Sequence, residues 1–327
     1  MRTFFKTLTA ALLLSFGVAG NAATADSFPE KPVSIIVSVS PGGSLDALAR
    51  LVATHMAPIL GQSVVVENVT GAGGLIGFQR LLKSRPDGYT LMMSNNSMVL
   101  IPLLHPQAGI DVVKNTSPIG TVASVPMVLG VSNQSGIQSL VEMRKRMNEE
   151  GFVPNLGSGG PGTTAHLAEA MFLQQSGGTG QLIAYRGSGP ALTDLMGGTI
   201  DGVIDQTVSM MHLHNDNRIK AIAVTGERRL PQMPDVPTFA EAGMDDFKLQ
   251  IWYGLVAPEG TPKEVINALS DALNKVLDSE EYKTRIDQLA AEVTPQEQRG
   301  PENFGNILAR DQKELAELAQ SIGLPAR

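Results

Sequence analysis

Apolar residues in this chain come in short blocks that alternate between two rhythms. Val33–Val39 is an apolar run interrupted only by serines, the mark of a buried strand. Ser44–Leu60 then carries apolar positions near Leu45, Leu48, Leu51 and Val52, which is helical spacing. Gly61 closes that helix, and "SVVVENV" (63–69) supplies the next strand. A glycine turn opens "TGAGGLIGFQRLLKS", "RPDGY" ends it in a Pro-Asp-Gly turn, and "TLMMS" (90–94) is a further strand. From about Pro126 the order repeats. "MVLGVS" is a strand and "SLVEMRKRMNEEG" a charged amphipathic helix; glycine–helix units follow at 154–175 and 181–197, then the strands "IDGVIDQ" and "IKAIAVTG". The connection "LPQMPDVPTFAEAG" leads to the strand "IWYGLVAPEGTP", which has to return to the first layer. Lys263–Arg327 is almost wholly helical in pattern. Strands alternating with helices through short loops predict an α/β protein with mainly parallel sheets, because parallel neighbours need a crossover element.

The first residues change how the rest is read. Arg2 and Lys6 precede the apolar "LTAALLLSFGVAG", and small residues at Ala23-Thr24-Ala25 offer cleavage before Asp26, with Asn21-Ala22 as a nearby alternative. This predicts a bacterial secretory signal peptide over residues 1–25 and an exported, soluble mature protein. Loss of Arg2 and Lys6 takes the formal charge from −7 to −9. With no basic tract, nucleic acid is not an expected partner, and an anion site has to be built locally. The chain has no cysteine, which excludes disulfides, thiol catalysis and thiolate metal sites. Sparse aromatics (5%) with 34 glycines and 20 prolines fit an aliphatic scaffold with many tight loops.

Those glycines recur in one device. "SIIVSVSPGGSLDALAR", "PNLGSGGPGTTAHLAEAMF" and "QLIAYRGSGPALTDLMGG" each run from a strand through a glycine turn into a helix. The first backbone N–H groups of such a helix lack partners within it, the dipole adds positive character, and glycine lets a ligand approach. The product is an anion site that needs no lysine. Ser44, Ser158, Thr163, Thr164 and Ser188 add hydroxyls; Asp46 either favours its own helix dipole or accepts a hydrogen bond from the ligand. One such turn is ordinary α/β architecture, whereas three or four in one chain point toward a site.

The anion is expected to be a carboxylate. "PGGSLDA" lacks the Gly-Lys-Ser/Thr of a phosphate loop, and "GSGGPGTT" is not a GxGxxG. Neither "LGSGG" nor "RGSGP" is a GxSxG elbow. His166 either contacts a ligand or bonds locally on its helix. His212, His214 and Asp216 read as a solvated loop rather than a metal site, and Asp201/Asp205 and Asp245/Asp246 as turn and surface acids rather than a catalytic dyad. The residues compose no reaction centre, and no cofactor or metal is implied.

The blocks "PGGSLDALARLVA", "LGQSVVVENVTGAGGLIG", "PDGYTLMM", "GSGGPGTTAHLAEA", "AYRGSGPALTDLMGG", "AVTGERRLPQMPDVPTFAEAG" and "WYGLVAPEGTP", in this order, resemble the Bug-type (TctC-like) periplasmic solute receptors of tripartite tricarboxylate transporters. The resemblance covers almost the whole mature chain. It implies a monomeric two-lobed periplasmic-binding-protein fold (type II, Venus flytrap), with 26–126 plus 246–327 as one lobe and 127–245 as the other. It further implies a non-enzymatic receptor that captures an organic carboxylate, an aliphatic di- or tricarboxylate or an aromatic one, for the transporter's membrane permease subunits. A sensory receptor for a signalling partner is the alternative. Carried over by resemblance, the ligand site comprises Ser40, Pro41, Gly42, Gly43, Ser44 and Asp46 on one side. Ser158, Gly159, Thr163, His166, Tyr185, Gly187, Ser188 and Asp205 face them. The family often has Pro-Phe before the glycine pair; Ser38 and Val39 stand here, and the smaller Val39 either leaves a wider pocket for a bulkier or aromatic carboxylate or has its space filled by a neighbour such as a methionine.

Overall fold

The structure, a computed structural model, describes residues 28–249 and 251–321; the expected signal peptide lies outside them. Its first lobe contains strands β1 (Val33–Val37), β2 (Val64–Asn68), β3 (Thr90–Asn95) and β4 (Thr116–Val125). The second contains β5 (Met127–Val131), β6 (Asn155–Ser158), β7 (Gln181–Ala184), β8 (Gly202–Gln206) and β9 (Lys220–Val224). The chain then returns to the first lobe as β10 (Ile251–Pro258) and β11 (Glu292–Val293). Helices α1 (Ser44–Leu60), α2 (Leu75–Leu82), α3 (Ser97–Leu104) and α4 (Val112–Asn115) flank the first sheet, joined late in the chain by three more. Between them come α5 (Leu140–Glu149), α6 (Thr164–Ser176), α7 (Ser188–Gly197) and α8 (Thr207–Asn215) of the second lobe. The late three are α9 (Lys263–Asp278), α10 (Glu280–Gln288) and α11 (Pro301–Ser321).

The six-stranded sheet has the order β11-β4-β10-β3-β1-β2 and the five-stranded sheet β7-β6-β8-β5-β9. Both are mixed rather than mainly parallel. Strand β1 pairs in parallel with β2 and β3, but β10 runs antiparallel to β3 and β4. In the second sheet β6 is parallel to β7 and β8, and β5 antiparallel to β8 and β9. The cause is the crossing between lobes. A strand that ends in a glycine turn runs toward the cleft, whereas β5 and β10 arrive from the other lobe and run away from it.

Burial explains the local choices. Strand β1 lies between two neighbours, so Ile35, Ile36 and Val37 are all buried and its sequence is apolar rather than alternating. In α1 the buried positions Leu45, Leu48, Ala49, Val52, Ala53 and Met56 form one stripe. Gly61 ends that helix at φ 67°, a left-handed stop. Ten-residue β4 falls outside the strands that the sequence pattern predicts, because Pro118 and Gly120 interrupt its apolar run. Pro118 is tolerated because β11 pairs β4 only at Ala123 and Ser124, leaving that side of Pro118 without a ladder. His212 and His214 also differ from expectation: they form the last turn of α8, where the His214 Nδ1 accepts the Ala221 N–H.

The lobes are tied where the chain crosses. Pro126 separates β4 from β5, and its carbonyl accepts the Thr207 N–H at 3.0 Å. Within the second lobe, the Met127 N–H donates to Thr225 Oγ1 at 2.8 Å and fixes the start of β5. Thr207 Oγ1 donates to the carbonyl of Ala290, which follows α10 in the first lobe's sequence yet packs into the second lobe's apolar cluster.

Candidate functional site

The glycine turn after β1 is held by Asp46. The Gly42 N–H donates to its Oδ2 at 3.0 Å, Arg50 Nε donates to the same oxygen at 3.1 Å, and Asn68 Nδ2 donates to Oδ1 at 2.9 Å. The same Asn68 amide also donates to the Val39 carbonyl, so loop, helix and β2 are laced together. Burial opposes charge on Asp46, but the hydrogen bonds from Arg50, Gly42 and Asn68 outweigh it and hold the carboxyl below its ordinary pKa. Among the described residues, every bond to this carboxylate comes from its own lobe. Ser40, Pro41 and Gly42 are exposed, Gly43 is half-buried, and Ser44 is buried. Gly43 is the N-cap of α1 and offers no side chain to its free N–H groups.

The second lobe brings its two glycine turns together. The Tyr185 N–H donates to the Ser158 carbonyl at 2.9 Å, and a methyl placed on Gly159 would stand 3.4 Å from the Ser188 nitrogen. Thr163 caps α6: its hydroxyl accepts the His166 N–H at 3.2 Å and donates to the Gly160 carbonyl at 2.7 Å. The Tyr185 hydroxyl donates to Asp194 Oδ2 at 2.6 Å within the same lobe; burial first, then Asp194, pushes the phenol up to about 12. Gly187 precedes α7 with no side-chain cap, and exposed Arg186 lies beside it.

The two halves meet at helix starts. Ser44, the first residue of α1, donates to Gln206 Oε1 at 3.5 Å, and Gln206 Nε2 donates to Thr164 Oγ1, the first residue of α6, at 2.7 Å. Gln206 is itself the N-cap of α8. Ser188, the first residue of α7, lies beside the adjoining Asp205. Four helices from both lobes therefore begin around one junction, and α1, α7 and α8 have no side-chain cap. Gly162 of the second lobe comes close to Leu104 and Gly73 of the first, and its φ of 88° is a left-handed backbone that favours glycine.

Buried acids sit behind the junction. Asp205 is 1% exposed, so it is not a surface acid; its Oδ1 accepts the Gln206 N–H at 2.7 Å, while Oδ2 has no partner. Burial raises its pKa, and Ser188, Gln206 and Ser209 oppose the rise. Glu169 is fully buried on α6. Strands β6 and β8 pair only at Leu156 and Gly202; beyond that point the Ile204 N–H donates to Glu169 Oε1 at 3.3 Å. Burial drives the Glu169 pKa well up, and the charge of Asp205 adds to the rise. No ion pair among the described residues involves either acid. His166 is held neutral by burial, and its Nδ1 has no partner. Tyr253 of β10 is fully buried, its hydroxyl unpartnered, with Asn95 and Ser44 beside it and Asp205 close enough to raise its pKa further.

Gln206, Glu169 and Tyr253 are not among the residues the sequence singles out. Glu169 carried a signal, an acid amid Ala165, Leu167, Ala168, Ala170, Met171 and Phe172. Gln206 and Tyr253 carried none, because Gln206 matters through a bond across the lobes and Tyr253 through its place near Asp205 of the other lobe. Val39 is half-buried against the first lobe's core.

The family model for the tripartite tricarboxylate transporter family receptor (TctC) matches residues 48–322. The chain belongs to this family. Several solved structures share its fold over nearly its full length. The periplasmic binding protein BugD is 33% identical, with a TM-score of 0.85 over 92% of this chain and 100% of its own. MatC (Rpa3494) from Rhodopseudomonas palustris, solved with bound malate, is 29% identical, with a TM-score of 0.83 over 89% and 99%. R. palustris Rpa4515, solved with adipate, is 26% identical, with a TM-score of 0.85 over 91% and 99%. As a TctC family member the chain is a solute-binding receptor and not an enzyme.

Proposed function

We propose that this protein is a periplasmic receptor that closes its two lobes on an organic carboxylate and passes it to the permease subunits of a tripartite tricarboxylate-type transporter. The observation that carries the reading is the Ser44–Gln206–Thr164 bridge, which joins the N-termini of α1, α8 and α6 across the lobes, with α7 beginning beside the adjoining Asp205. The starts of α1, α7 and α8 carry no side-chain cap, and the positive ends of their dipoles, with that of α6, stabilise an anion there without a lysine or arginine. Because the donors come from both lobes, a ligand that touches both favours the closed state by its differential affinity. Malate and adipate in the related receptors support a carboxylate.

The test is a panel of aliphatic and aromatic carboxylates added to mature protein that has been unfolded and refolded to strip carried-over ligand. A ligand at a hundredfold excess over Kd raises apparent stability by about 2.7 kcal/mol, a shift that thermal unfolding resolves. One or more carboxylates should give that shift and a matching calorimetric Kd. No shift across the panel overturns the reading. Loss of uptake of the same carboxylate in cells lacking the receptor tests the delivery step.

A further inference from the structure

Two polar groups at the junction have unmet hydrogen bonds and come from opposite lobes: Asp205 Oδ2 at the end of β8 and the Tyr253 hydroxyl on β10. Both residues are buried, at 1% and 0% exposure. Buried polar atoms are rarely left unpaired, and these two lie next to residues of the junction, Gln206 and Ser44. The Asp205 carboxyl has no cationic partner among the described residues, and Ser188 at the start of α7 lies beside it. A bare carboxylate lodged at these helix starts would therefore lie near a second acid, which is unfavourable. A hydroxyl or ammonium group next to that carboxylate reverses the interaction, since it donates to Oδ2 while the carboxylate takes the helix N–H groups.

We propose that Asp205, with Tyr253, is the specificity-determining pair of this receptor, selecting carboxylates that carry a hydroxyl or amino group beside the carboxylate over their unsubstituted counterparts. The proposal rests on the carboxylate-receptor reading above and narrows it. The bound malate of MatC is a hydroxy acid and the bound adipate of Rpa4515 is not, so family membership leaves the choice open. The Asp205 Oδ1 is fixed by the Gln206 N–H at 2.7 Å, and this determines what an amide would do there. In Asp205→Asn the carbonyl oxygen keeps that bond, and the NH2 group replaces Oδ2, turning an acceptor into a donor.

The experiment is calorimetry on refolded mature protein with matched pairs: malate against succinate, 2-hydroxyglutarate against glutarate, aspartate against succinate. In the wild type, the substituted member of at least one pair should bind about ten- to a hundredfold tighter, the range for a hydrogen bond to a charged acceptor. Asp205→Asn should erase or invert that preference. Tyr253→Phe removes only an unpartnered hydroxyl, so it leaves the fold intact; it should narrow the preference while the protein's unfolding midpoint stays put. Pairs that bind with equal affinity overturn the proposal and leave the carboxylate reading standing. Tighter binding of the unsubstituted members, weakening as pH rises, also overturns it, because Asp205 would then act as a protonated donor. Absence of binding by every carboxylate overturns both.

Discussion

The two jaws are built from the same local device and use their acids in opposite ways. In the first, Asp46 accepts from Gly42, Arg50 and Asn68, and its pKa is held down. In the second, Asp205 and Glu169 have no cationic partner among the described residues, and burial holds both pKa values up. Asp46 is thus consumed in shaping its own loop, while the second lobe keeps unpaired oxygens inside. A strand–glycine–helix turn does not by itself say whether its acid is scaffold or contact; the partners within reach decide.

The largest expected effect compares one glycine in each turn. Gly160 has φ 96°, and a methyl there would stand 2.8 Å from the Tyr185 carbonyl oxygen. Gly42 has φ 91° with nothing within 4 Å. Chemical denaturation should show Gly160→Ala losing about 3 kcal/mol from backbone strain plus overpacking, and Gly42→Ala only about 1–2 kcal/mol from strain alone. Equal losses would mean that the second jaw is no tighter than the first.

Next comes Asp46→Ala, which frees Arg50, Asn68 and the Gly42 N–H. A loss of about 1–3 kcal/mol is expected from the broken charge-assisted bonds, together with weaker carboxylate binding as the turn loosens. The low folded pKa makes this contribution complete above the ordinary value of 3.8 and lost as pH falls through the folded value. Unchanged stability and affinity would reduce Asp46 to a passive helix-start acid.

Glu169 gives the smaller effect, with the opposite sign. Its folded pKa lies above the ordinary 4.5, so its contribution is complete below about that pH and is lost as pH rises toward the folded value. Glu169→Gln keeps an acceptor for the Ile204 N–H and removes the proton equilibrium. Denaturation between pH 5 and 8 should show the variant gaining on the wild type as pH rises. A constant difference would mean that Glu169 does not hold its proton.

Much of the fold was legible because burial leaves periodic marks: helix α1 and the strands β1, β2 and β3 lie where the apolar pattern puts them. Strand β4 was not, since a proline in a strand reads as a break unless its ladder is known to stop short. The glycine turns and their hydroxyls could be picked out one by one. Gln206 and Tyr253 could not.

The sequence by itself determined the α/β class, the glycine-started helices and, through its ordered blocks, the receptor family, because these depend on local periodicity and backbone freedom. Tertiary structure alone decided that β5 and β10 run against their neighbours and that four helix starts share one junction. It also decided that Asp46 is spent on its own loop while Asp205 keeps an oxygen free. Those outcomes depend on which groups meet across long stretches of chain, and a side chain's charge, partners and pKa are properties of that meeting.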